Sequence, residues 1–184
     1  GSAGTSFTIT DNRALSPDGT DLVSNVENFQ FTNGIFTAAQ IANDAPVGVD
    51  DGNGADPVTE AGGTENAIPG DHAASGNVLL GGDADADAAL GDTLTVNAAR
   101  GGTALAGGAL TAVSAATVIA GIYGSLTINP DGSYSYALDN DDVDTQSIAG
   151  GSVVVDAFTY QLADAAGATD LAQLTISITG ANDT

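Results

Sequence analysis

The chain contains no cysteine, methionine, tryptophan or lysine. Without Cys there is no disulfide framework and no thiolate metal centre, which excludes zinc fingers and thiol redox motifs. The same absence is compatible with export by a route that never passes the chain through a disulfide-forming compartment. With 5 Phe and 4 Tyr the aromatic content is small, and the apolar fraction leans on Ala and Val. A thin, sheet-like core follows, not a helical one.

Positive charge is nearly missing as well. Arg13 and Arg100 stand against 21 Asp and 3 Glu, giving a net charge of −22. Nucleic acid and anionic membrane surfaces are thereby excluded as partners, because both require cationic side chains to replace counterions. No signal peptide is found, nor an apolar run of about 18 residues that could span a bilayer, so membrane insertion is not expected. The catalytic inventory is equally thin. His72, the single histidine, lies in a Gly/Ala-rich stretch and reads as an exposed loop residue. A paired-carboxylate glycosidase would need aromatic walls that a Trp-free chain does not supply. The sequence therefore does not read as an enzyme.

What is present is 42% hydrophobic residues over 184 positions, enough for one domain and a sizeable appendage. Preference for Asp over Glu places the acid in turns and short-range oxygen clusters, since Glu is the carboxylate of solvated helices. An acidic surface kept only for solubility is the plain alternative.

Ala42-Asn43-Asp44-Ala45-Pro46 is echoed by Ala181-Asn182-Asp183-Thr184, an offset of 139 residues from Asn43 to Asn182. The pair reads as the two linkers that bracket one module of a tandem array. Gly1-Ser2 reads as a cloning remnant, consistent with a piece of a larger protein. The expected domains are 1–42, a short β appendage, and 43–184, the module. Within 1–42, Phe7-Thr8-Ile9-Thr10 and Phe29-Gln30-Phe31 are predicted strands.

Alternation marks the strands of the module: Thr93-Leu94-Thr95-Val96, Phe158 to Leu162, and Leu174, Ile176 and Ile178 opposed to Thr175, Ser177 and Thr179. Ser125 to Ile128, the turn Asn129-Pro130-Asp131-Gly132, and Ser133 to Leu138 predict a hairpin, with Leu126, Ile128, Tyr134, Tyr136 and Leu138 on one face. A second turn is predicted at Asp164-Ala165-Ala166-Gly167. Residues 51–76 read as a loose loop or an edge, and 101–120 as either strand or an irregular excursion. The fold class is all-β, an antiparallel Greek-key β-sandwich.

Asp83-Ala84-Asp85-Ala86-Asp87, with Asp92 five residues on, is the sharpest acidic cluster. Three carboxylates at alternate positions repel unless neutralised, and Ca²⁺ accepts six to eight oxygens at about 2.3–2.6 Å. It is not an EF-hand, because Ala88 and Leu94 occupy the positions that need Gly and a bidentate Glu. In an exposed strand the same Asp residues would simply be solvated. Asp50 and Asp51, Asp164, and Asp44 of the first linker are further candidate ligands, since loops gather at the ends of a sandwich. Asp139-Asn140-Asp141-Asp142 with Asp144, and the scattered Asp156 and Asp170, complete the acid groups. Asp56-Pro57 is a chemically labile bond and a candidate processing point, against the plain reading as a turn.

Tyr123-Gly124-Ser125-Leu126-Thr127-Ile128-Asn129-Pro130-Asp131-Gly132-Ser133-Tyr134-Ser135-Tyr136, then Asp156 to Tyr160, then Ile178-Thr179-Gly180-Ala181-Asn182-Asp183, resembles a VCBS-type repeat. The resemblance covers about residues 43–184. Such repeats are similar to cadherin-like and immunoglobulin-like bacterial modules and occur in tandem in large RTX-type adhesins. Asn77 to Leu80 leading through Asp83, Asp85 and Asp87 to Gly91-Asp92 resembles their acidic loop, although Ala88-Ala89-Leu90 interrupts it before Asp92. Thr8 to Phe31 resembles the flank that follows haemolysin-type calcium-binding repeats, whose Gly-Gly-x-Gly-x-Asp nonapeptides are absent.

The resemblance implies a calcium-binding adhesion or spacer module, extracellular or on a bacterial surface after type I secretion, and monomeric. Its implied partners are neighbouring modules and a host or surface receptor or glycan. A carbohydrate- or ligand-binding sandwich and a passive acidic spacer are the rival expectations.

Overall fold

In the computed structural model the described residues are 6–10, 20–24, 28–31, 34–37, 45–54, 56–63, 69–80 and 93–181. The chain divides into two compact units, Gly1–Asp44 and Ala45–Thr184. In the first, β1 (Ser6–Thr10) pairs antiparallel with β2 (Thr20–Ser24), and β3 (Asn28–Phe31) with β4 (Gly34–Thr37).

The second unit is built from two β-layers. One has the strand order β10-β11-β12-β7, where β7 is Ala73–Asn77, β10 Thr117–Ala120, β11 Gly124–Ile128 and β12 Ser133–Leu138. The other runs β5-β14-β13-β8-β9, with β5 Asp51–Gly52, β8 Thr95–Gly101, β9 Thr111–Ala112, β13 Val153–Ala163 and β14 Thr169–Thr179. A short β6 (Val58–Thr59) also joins β14. The chain crosses between layers after β6, β7, β9 and β12, and β12 returns to pair with β7, so the connections are of the Greek-key kind.

The β11/β12 hairpin forms where the alternation predicts it. Ile128 lies opposite Tyr134 and Leu126 opposite Tyr136. Gly132 closes the turn at φ +79°, a left-handed backbone that favours glycine. Leu126, Ile128, Tyr134, Tyr136 and Leu138 are all buried, and on β14 so are Leu174, Ile176 and Ile178. These two apolar faces meet Val96, Phe158, Tyr160 and Leu162 in one core.

Three expectations are revised. First, β8 begins at Thr95. Second, β13 does not keep one wet face: Thr159 is fully buried and donates its hydroxyl to Gly102 O at 2.8 Å, and a register shift at Gln161/Leu162 breaks the alternation. Third, much of 51–76 is not a loose loop. β5 and β6 run parallel to β14, with Asp51 beside Leu174 and Val58 beside Ile178, and β7 pairs with β12. These parallel pairs are the departure from a wholly antiparallel sandwich. Tyr123 precedes β11 and is half-buried. The undecided stretch 101–120 holds a short 3₁₀ turn, Ala104–Ala106, followed by β9 and β10.

Candidate functional site at the two poles

β14 fixes the geometry of the module. Its eleven residues pair with β13 throughout and span about 35 Å at the usual rise per residue. The β13–β14 turn marks one pole. There the incoming chain docks: Gly48 N donates to Asp170 Oδ2 at 3.0 Å. The outgoing chain leaves from Gly180 and Ala181 at the other. Because β5 and β6 run parallel to β14, the described chain enters near Gly48 at one pole and reaches Ala181 at the opposite one.

The incoming pole gathers turns rich in acid. Asp164 Oδ1 accepts Gly167 N and Ala168 N at 2.6 and 2.8 Å, the local bonding by which Asp side chains build turns. Val96 N donates to Pro130 O, which brings the Asn129–Gly132 turn to the same end. Asp131 Oδ1 accepts Ser133 Oγ at 2.6 Å and Ser133 N at 3.0 Å, and these bonds hold its carboxyl below the usual range. Leu80 and Thr93, the described residues on either side of the Asp83–Asp92 cluster in the sequence, are also at this end: Val78 N bonds to Gly132 O, and Thr95 pairs with Ala163.

Asp50 and Asp51 lie alongside β14. Asp50 Oδ1 accepts Gln173 N at 2.9 Å and Asp51 Oδ2 accepts the Tyr160 hydroxyl at 2.7 Å. Asp50, Asp51 and Asp164 thus act as acceptors that fasten β5 and the β13–β14 turn. Asp44, Asp83, Asp85, Asp87 and Asp92 lie outside the described residues. Among the described residues, no group of three or more His, Asp or Glu side chains is placed to hold a metal ion. The described acids do not by themselves fit a calcium cage.

At the outgoing pole stands a residue that the sequence reading did not single out. Glu60, directly after β6, is fully buried, and its Oε2 accepts Ala181 N at 3.0 Å. Beside it Asn140 Oδ1 accepts Ala61 N at 2.9 Å, so the Asp139–Asp144 run is tied to the same end. Asp139, Asp141 and Asp144 of that run are exposed on a turn. Being one of three Glu among many Asp was the signal available for Glu60.

Asp156 was also missed as a structural centre. It is 1% exposed, and its carboxylate accepts Ile122 N at 3.0 Å, Tyr123 N at 3.1 Å and the Tyr136 hydroxyl at 3.0 Å. A Cβ on Gly121 would overlap that carboxylate, so glycine is needed for the backbone to wrap it. Arg100 directs its guanidinium to the carbonyls of Gly101, Thr103 and Ala104. His72 is exposed.

The sequence model of the bacterial cadherin-like domain matches residues 43–180. The chain belongs to this family. No curated protein matches it. The two-layer architecture agrees with a cadherin-like sandwich, a structural and adhesion type of module. Bacterial cadherin-like domains are generally non-catalytic and typically extracellular or surface-associated. No helix among the described residues is long and apolar enough to cross a membrane.

Proposed function

We propose that this bacterial cadherin-like domain is a calcium-stiffened spacer and adhesion module, of the VCBS type, in a large RTX-type secreted protein. The observation that supports this reading is that Gly48 and Ala181, the described residues nearest the two Asn-Asp echoes, are held at opposite poles, each beside an acidic turn cluster. A module built this way strings end to end. Calcium would be held by Asp83, Asp85, Asp87 and Asp92, with Asp44 of the linker, where hard oxygen donors accumulate in a chain of net charge −22. When bound, it would neutralise repelling carboxylates and stabilise the folded form by mass action. Neighbouring modules of the same polypeptide are its partners, residues 1–42 are the calcium-repeat flank, and type I secretion delivers it to the cell exterior.

Thermal unfolding with EDTA and then with millimolar Ca²⁺ tests the reading. A large rise in Tm that Asp83→Ala and Asp85→Ala diminish is expected. An unchanged Tm would leave a passive acidic spacer. The carbohydrate-binding alternative has less support, because Tyr134, Tyr136, Phe158 and Tyr160 are buried and do not form an exposed stacking platform.

A further inference from the structure

The connection between β5 and β6 contains the only Asp-Pro pair in the chain, Asp56-Pro57. Its surroundings are more organised than a turn requires. The carbonyl oxygen of Asp56 accepts a hydrogen bond from Asn53 Nδ2 at 3.1 Å. Asn53 is 5% exposed and is itself fixed: Ser177 N donates to its Oδ1 at 2.8 Å, and its Nδ2 also reaches Ser177 O at 3.3 Å. On the side chain, Asp56 Oδ2 accepts Ser75 N at 2.8 Å and Ser75 Oγ at 3.3 Å. The carbonyl and the acid of one residue are therefore both held, the first by Asn53 just after β5 and the second by Ser75 on β7. Next to them a cavity of about 150 Å³ opens between β5 and β7, lined by Asp51, Asp56, Ser75 and Tyr134, with room for water. Pro57 is exposed.

We propose that Asp56–Pro57 is a self-cleaving peptide bond. Asp56 Oδ1, the oxygen that Ser75 does not hold, adds to the main-chain carbonyl carbon of the same residue and closes a five-membered anhydride. The bond from that carbon to the Pro57 nitrogen breaks. The nitrogen, which belongs to a tertiary amide and carries no N–H, takes a proton from solvent and leaves as a secondary amine. Water then opens the anhydride and restores the Asp56 side-chain carboxyl beside a new C-terminal carboxyl. One water is consumed, and no atom changes oxidation state. Asn53 supplies what the step needs electrostatically, a fixed donor on the oxygen that gains negative charge. Ser75 keeps the carboxylate in place, so little orientational freedom is lost on attack.

The cut falls between two strands that both pair with β14, so the pieces 1–56 and 57–184 stay associated through β5 and the Asp51–Tyr160 bond. A covalent tether becomes a releasable one.

The full chain, kept folded in mildly acidic buffer as circular dichroism verifies, is incubated beside the same chain in urea, and both are read by intact mass after denaturation. Fragments Gly1–Asp56 and Pro57–Thr184 should accumulate about tenfold or more faster from the folded chain, the scale of a preorganised carbonyl donor. Asp56→Glu, whose longer acid must close a six-membered ring, and Pro57→Ala should both keep the fold and lose the cut. Asn53→Ala should slow it. Should that variant unfold, Asp56→Glu and the comparison with urea still decide. Equal rates in buffer and urea would show intrinsic lability with no part for the fold and overturn the proposal, as would a folded chain that stays intact.

Discussion

The hydroxyl of Tyr136 on β12 donates at 3.0 Å to the carboxylate of Asp156 on β13, and so joins the two layers of the sandwich through a buried polar contact. The Tyr136 ring meets Phe158 edge-on, with centroids 6.0 Å apart, so the same side chain is polar at its tip and packed along its body. Asp156→Ala would strand three donors at once and should lower unfolding stability by roughly 3 kcal/mol or more, whereas Tyr136→Phe should cost about 1–2 kcal/mol. Urea titration of both variants checks the order. Gly121→Ala should resemble the first, because its methyl group displaces the carboxylate.

Alkaline unfolding follows from the same pair. Burial, followed by the Asp156 charge, pushes the Tyr136 hydroxyl up, and burial with Asp51 and Asp56 does the same to Tyr134. A folded pKa above the unfolded one gives stability that is complete below the unfolded value and is lost as pH rises through the folded value. Tm should hold up to about pH 10, the ordinary tyrosine pKa, and fall beyond it. Tyr136→Phe should flatten that alkaline fall. A slope unchanged in the variant would contradict the assignment.

Asp164 distinguishes a turn-former from a calcium ligand. Its Oδ1 accepts two backbone N–H groups, so Asp164→Ala should cost about 1 kcal/mol by the usual worth of such bonds, and Asp164→Asn, which keeps the acceptor, should recover it. An increment in calcium-induced Tm that Asn fails to restore would instead make Asp164 a ligand.

Glu60 closes the outgoing pole through Ala181 N. Glu60→Ala should destabilise by roughly 1–3 kcal/mol, the cost of a buried donor losing its acceptor, while Glu60→Gln retains an accepting oxygen and most of the stability. Denaturant midpoints of the two variants test this.

The parts of the fold legible in the sequence were those where alternation and turn chemistry coincide. The β11/β12 hairpin satisfied both through Asn129-Pro130-Asp131-Gly132, and β14 through Leu174, Ile176 and Ile178. Thr159 defeated alternation because a carbonyl from a neighbouring loop covers a face that pattern alone makes wet. β5 and β6 escaped notice for another reason. Two residues carry no periodicity, and their strand character comes from β14 and from Asn53, which are distant in sequence. Acid clusters could be seen as clusters, but not the roles within them. Glu60 and Asp156 are buried because backbone N–H groups from remote segments converge on them, and composition does not report convergence.

Parallel pairing of β5 and β6 with β14 has a mechanical consequence. Tension applied between Gly48 and Ala181, which are held at opposite poles, pulls β14 one way and β5 and β6 the other, along the strand axes. Their hydrogen bonds are then loaded together in shear, not peeled one at a time, which raises the barrier that governs forced unfolding. Asp56-Pro57 lies inside this clamp, so scission there would leave β5 alone to bear the load, and the strength of the joint would fall without any loss of core.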